Sequence, residues 1–135
     1  MAVVRYRPNK AGLDHVLRDR RGPVALYTAN IGRQVEGAAR RRAPVKTGAL
    51  KRSIGSRLVR SSLGGWNVEV SADTPYAAFV SDGTRPHTIT GNPWLVFPGR
   101  DGRTVFVHSV NHPGTKPNRY LLDAMREVGL TPKRR

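Results

Sequence analysis

The stretch "RRRAPVKTGALKRSI", Arg40 to Ile54, decides how the chain is read. Six of its fifteen residues are Arg or Lys and none is acidic. Charge alone suggests a patch for a polyanion. Spacing suggests a structural joint. Pro44 disfavours helical geometry at Ala43, so a helix arriving from the N-terminal side must stop there. Gly48 permits a tight bend after Thr47, and Leu50 and Ile54 then return apolar surface to a core. The Arg triplet falls in the last turn of the arriving helix, where positive charge favours the negative helix end.

On the N-terminal side, Pro23 to Arg42 reads as one helix. Pro23 suits a first helical position. Val24, Tyr27, Ile31, Val35 and Ala38 recur at spacings of three and four and predict the buried stripe. Gly32 and Gly37 cost about 1 kcal/mol each relative to Ala and mark places where another element approaches closely. Before this, "AGLDHVLRDRRG" reads as a short helix with Leu13, Val16 and Leu17 on one face and Gly22 as its stop. On the C-terminal side the period changes. "SIGSRLVRS" and "WNVEVSA" read as strands, because Trp66, Val68 and Val70 alternate with Asn67, Glu69 and Ser71. "TPYAAFVSDGT" suggests one or two helical turns. "WLVF" and "TVFVHSV" are the arms of a hairpin turning at "PGRDGR". "RYLLDAMREVG" is a final helix with Leu121, Met125 and Val128 on one face, Asn118 as cap and Gly129 as stop.

These elements predict an α+β fold: a long helix in the N-terminal half packed on an antiparallel sheet, with a C-terminal helix. The 135 residues suit a single domain, 1–135. Within it, 1–10 reads as a flexible arm, 86–110 as an extended arm and hairpin, and 130–135 as a basic disordered tail. No run approaches the roughly 18 apolar residues of a membrane span. The first residues lack a signal-peptide pattern. The chain has no cysteine, which excludes disulfides and Cys-based metal sites.

Formal net charge is +15 and is uneven: residues 1–60 hold 15 basic and 3 acidic residues, residues 61–135 hold 9 and 6. The candidate contacts for a polyanion or an acidic protein surface are Arg40, Arg41, Arg42, Lys46, Lys51, Arg52, Arg57 and Arg60. Eight phosphate contacts would give salt-dependent, non-specific binding. No base-reading module accompanies them, and Trp66, Trp94, Phe97 and Phe106 sit in apolar strands, where core packing is the expected role. His15, His87, His108 and His112 lack the spacing of a metal motif. No nucleophile, carboxylate pair or phosphate-cradling loop is marked, so no enzyme, no cofactor and no metal are expected.

Three motifs stand in order. Ala43, Pro44, Thr47, Gly48, Leu50, Ser53 and Ile54 form the first. Tyr76, Ala77, Val80, Gly83 and Thr84 form the second, and Pro117, Tyr120, Leu121 and Ala124 the third. Together they resemble the tail-completion family of long-tailed bacteriophages, the neck or head–tail joining proteins that include the lambda Z type of minor tail protein. Asp82 fills a place where many relatives are acidic, and Tyr120 one where they often carry Phe. The resemblance implies a structural virion protein at the head–tail interface. It implies a self-associated ring, a hexamer by family analogy, whose partners are other phage neck and tail proteins. It places the protein in the virion neck, and in the host cytoplasm during assembly, without a membrane and with DNA contact while the genome passes. The alternative that the charge leaves open is a small non-specific nucleic-acid-binding protein.

Overall fold

The computed structural model describes residues 7–131; the outer parts of the expected arm (1–6) and tail (132–135) lie outside the described residues. The elements are α1 (Lys10–Arg18), α2 (Pro23–Arg42), α3 (Ala49–Ser53), β1 (Ile54–Arg60), β2 (Trp66–Ala72), α4 (Ala77–Asp82), β3 (His87–Pro98), β4 (Thr104–His112) and α5 (Tyr120–Glu127). They fall into two units. One holds the chain up to Ala77 together with the chain from Tyr120; the other is Ala78–Arg119. The architecture is mixed α+β with antiparallel pairing throughout, in two separate two-stranded sheets, β1–β2 and β3–β4.

In the first unit, α2 packs on β1, β2 and α5. Its bounds coincide with the two prolines: Gly22 is the N-cap, Pro23 opens the helix, and Ala43 is the C-cap in extended conformation. Gly22 therefore starts α2 and does not stop α1. The first helix ends at Arg18, and Asn9 caps it by accepting from the Gly12 N–H at 3.1 Å. None of its residues is buried, so the Leu13, Val16 and Leu17 face stays largely in solvent.

The buried face of α2 differs from the expected stripe. Ala25, Gly32, Val35, Ala38 and Ala39 are buried, whereas Tyr27 is 68% exposed. The face is chosen by size rather than hydropathy. A Cβ on Gly32 would lie 2.2 Å from Val68 Cγ2, so the helix sits against β2 at a distance only glycine allows. Gly37 has no such neighbour; a Cβ there would meet only Arg41 Nη1 at 3.6 Å.

β1 and β2 pair from Ile54↔Ala72 to Arg60↔Trp66. Ser56, Leu58, Val68 and Val70 share one face by alternation, and Ser56 reaches Glu36 of α2 at 2.6 Å. The core is thin. It consists of alanines around Val35, Leu50, Ile54 and Tyr120, of which Tyr120 and Ile54 are the largest fully buried side chains. α5 begins at Tyr120, which puts Arg119 and not Asn118 immediately ahead of it. Its Leu121 and Met125 line a cavity of about 100 Å³ with Val35, Val68, Val70 and Leu130.

The second unit is the β3–β4 hairpin and its stem. The strands pair from His87↔His112 to Pro98↔Thr104, with a register break between Thr90 and Leu95. Pro93 lies in that break, where its missing N–H costs the ladder nothing. At the stem, Thr84 and Thr115 exchange backbone hydrogen bonds of 3.1 and 3.0 Å, and the Asn118 N–H donates to Val80 O at 3.0 Å. The strands are longer than the sequence pattern indicates. Trp94, Phe97 and Phe106 are exposed and not in a core.

Candidate functional site

The chain from Arg40 to Ile54 is a helix–strand joint fastened by its own charges. α2 ends at Arg42 and Ala43 turns extended. Gly48 has φ +75°, the left-handed region where a side chain is strained, and serves as the N-cap residue of α3. Leu50 is buried in α3, Ser53 closes the turn by donating to Leu50 O at 2.8 Å, and Ile54 is buried at the head of β1. Arg40 spans the joint: its Nε and Nη2 donate to Ile54 O at 3.2 and 2.7 Å while Nη2 pairs with Glu36 at 2.8 Å. One guanidinium thus holds the end of the helix to the start of the strand, a use of the planar fork that Lys could not copy.

Arg41 and Arg42 turn the other way and both grip Glu127, at 2.7 and 2.8 Å. Glu127 is the last residue of α5, where its charge opposes the helix dipole. The hydrogen bonds from Arg41 and then Arg42 hold its carboxyl below the usual glutamate range. Arg57 pairs with Glu69 across the strands at 2.7 Å. Arg60 donates to Arg18 O at 2.6 Å and lies 4.8 Å over the Trp66 ring. Arg52 reaches Thr47 O at 3.5 Å. Among the described residues, Lys46 and Lys51 alone of the eight candidate cations make no ion pair or hydrogen bond.

The second motif lies at α4 and after it. Tyr76 is exposed, Ala77 is buried, and Gly83-Thr84 leads into the stem bridge with Thr115. In the third motif Pro117 is exposed, whereas Tyr120 and Ala124 are buried in α5 and Leu121 faces the cavity beside α2. The Tyr120 hydroxyl has no hydrogen-bond partner among the described residues, and burial pushes its pKa up.

The histidines are spread out. His15 lies 3.0 Å from Asp19, whose carboxyl is held low by the Arg21 backbone N–H and then by His15. His87 and His112 face each other across the hairpin base at 5.2 Å between ring centres. His108 stacks on Trp94 at 3.8 Å. Among the described residues no three His, Cys, Asp or Glu side chains converge on a point, and no helix is long and apolar enough to cross a membrane.

The stretch from Tyr27 to Gly83 takes in most of α2, the joint, α3, both strands of the first sheet and α4. Residues 27–83 match a family model described as "Bacteriophage HK97-gp10, putative tail-component". Over this segment the chain is similar to a phage tail-component family. The first motif and the second as far as Gly83 lie inside the match; Thr84 and the third motif lie beyond it. No curated protein and no solved structure matches the chain significantly.

What sequence reasoning missed was the fastening. Arg41 and Arg42 meet a carboxylate 85 or more residues away. Only the position of Glu127, an acid at a helix C-terminus, hinted that it needs a cation.

Proposed function

We propose that the chain is a structural virion protein of the lambda Z-like kind at the phage head–tail interface. It completes the end of the tail and helps join it to the head connector as an oligomeric ring, a hexamer by analogy with the family. The observation that carries this reading is the tail-component match over residues 27–83. The order of the three motifs supports the narrower assignment to the neck. A cyclic ring needs two different surfaces that close on each other. The role is to hold neighbours together, not to transform a substrate. The virion neck is its final place and the host cytoplasm the place of assembly.

The motif residues from Ala43 to Ile54 act in this reading as the joint that sets α2 against the first sheet. Lys46, Lys51 and Arg52, exposed beside it, are the cations offered to an acidic neighbouring ring or to passing DNA. A protein neighbour is favoured. DNA must slide through a neck, and Arg40, Arg41, Arg42, Arg57 and Arg60 already have partners within the chain.

The test is assembly of the phage without this gene. Filled heads and unattached tails then accumulate separately, and supplying the protein restores joined particles. Infectious, joined particles made in its absence refute the reading.

A further inference from the structure

The β3–β4 hairpin is apolar on both sides, and among the described residues neither side is buried. By strand alternation and register, Trp94, Val96, Phe106 and His108 share one face, and Leu95, Phe97, Val105 and Val107 the other. Trp94, Val96 and Phe106 are 50%, 58% and 61% exposed. No residue of either strand is buried. Among the described residues, β3 and β4 pair only with each other, so both outer edges are also open. A lone two-stranded hairpin is marginal in water, and one this apolar needs a cover.

Charge says what the cover is. The strands "HTITGNPWLVFP" and "TVFVHSVNH" contain no Asp, Glu, Lys or Arg, in a chain whose formal net charge is +15. An acidic partner would be drawn to the basic N-terminal half, which holds 15 of the 24 cationic residues. Two copies of this chain repel each other wherever those cations face. The uncharged ribbon is the surface on which they approach without that penalty, and its two apolar faces suit contact with a neighbour on either side.

We infer that the hairpin is the self-association arm of this protein: the face of Trp94, Val96 and Phe106 docks on a second copy of the same chain. The inference rests on the ring of the proposed function and names the element that builds it.

Sedimentation equilibrium of the full-length protein tests it. The wild type sediments above its monomer mass of 14.9 kDa. Raising salt from about 0.05 M to about 0.5 M tightens the association, because salt screens the repulsion between basic copies and leaves apolar contact intact. The variant Trp94→Thr/Phe106→Thr, which keeps strand-forming residues, associates roughly 30-fold or more weakly. Its helical circular dichroism stays unchanged. Three results overturn the inference: a monomeric wild type, which means the face covers itself with a different tail protein; association that weakens with salt; or a folded double variant that assembles like wild type. The salt series shows whether the contact is apolar, and where the double variant misfolds the single variant Val96→Thr on the same face reads the same loss of association, its absence overturning the inference. Failure here leaves the head–tail role standing, because that role is decided by particle assembly without the gene.

Discussion

Replacing Gly32 with Ala ought to stabilise a helix and here is expected to do the reverse. Gly in a helix interior costs about 1 kcal/mol relative to Ala, so on an open face the substitution would be favourable by that amount. At Gly32 the new methyl would stand 2.2 Å from Val68 Cγ2 and 3.3 Å from Val68 Cβ. Val68 is β-branched and held in β2, with few rotamers to escape into. Forcing a methyl into a filled space costs about 1–3 kcal/mol. The net expectation is a loss of up to about 2 kcal/mol, read as a lower urea midpoint by circular dichroism. Gly37→Ala on the same helix meets only Arg41 Nη1 at 3.6 Å and should gain about 0.5–1 kcal/mol. The pair removes helix propensity as an explanation, since both changes carry the same propensity term. A further variant, Gly32→Ala/Val68→Ala, should lose less than the sum of its parts by about 1 kcal/mol or more, since the truncation at Val68 makes room for the methyl added at position 32. If Gly32→Ala stabilises the protein as Gly37→Ala does, α2 does not rest against β2 as described.

Tyr120→Phe should raise stability by about 1 kcal/mol, because it removes a buried hydroxyl without a partner and leaves the ring in place; a clear loss in thermal unfolding would show that the hydroxyl is bonded. Glu127→Gln should lower the melting temperature at neutral pH. The folded Glu127 carboxyl titrates below its ordinary value of 4.5, so its contribution is complete above that pH and fades as pH falls through the lowered value. Wild type and variant should therefore converge in acid, and a gap that persists there rules out the ion pairs as its cause. Gly48→Ala should cost about 1–2 kcal/mol for forcing a side chain to φ +75°, with Gly48→Asn costing less; equal costs for both would point to crowding by Arg52 instead.

The long helix could be read from sequence because prolines bracket it. Pro23 permits a start and Pro44 enforces a stop, and both act through local sterics alone. β1 and β2 could be read because their alternation is regular. The buried face of α2 could not, since hydropathy ranks Tyr27 above Gly32 and Ala39, while packing against β2 rewards the absence of a side chain. The Arg triplet was legible as helix-end charge and illegible as a fastening, because Ile54 O and Glu127 reach it only through the fold. The aromatics of β3 and β4 look like core residues for a plain reason: hydropathy records the kind of side chain and not whether the fold covers it. Hydropathy separates neither case, and only the exposure of Trp94 and Phe106 does.

The stem of the hairpin unit has a consequence for how the chain tolerates change. Thr84 is tied to Thr115 and Val80 to Asn118, so the two backbone strands that lead into and out of Ala78–Arg119 are zipped together at their base. Closing a loop of that length carries an entropy that grows only slowly with added residues, and the zipped stem meets it locally. The remainder of the chain is presented with two adjacent ends, whatever lies between them. Lengthening, shortening or exchanging the segment beyond His87 and His112 should therefore leave the packing of α2, β1, β2 and α5 intact. The stem makes Ala78–Arg119 a cassette, exchangeable as one piece of chain at a single closed point.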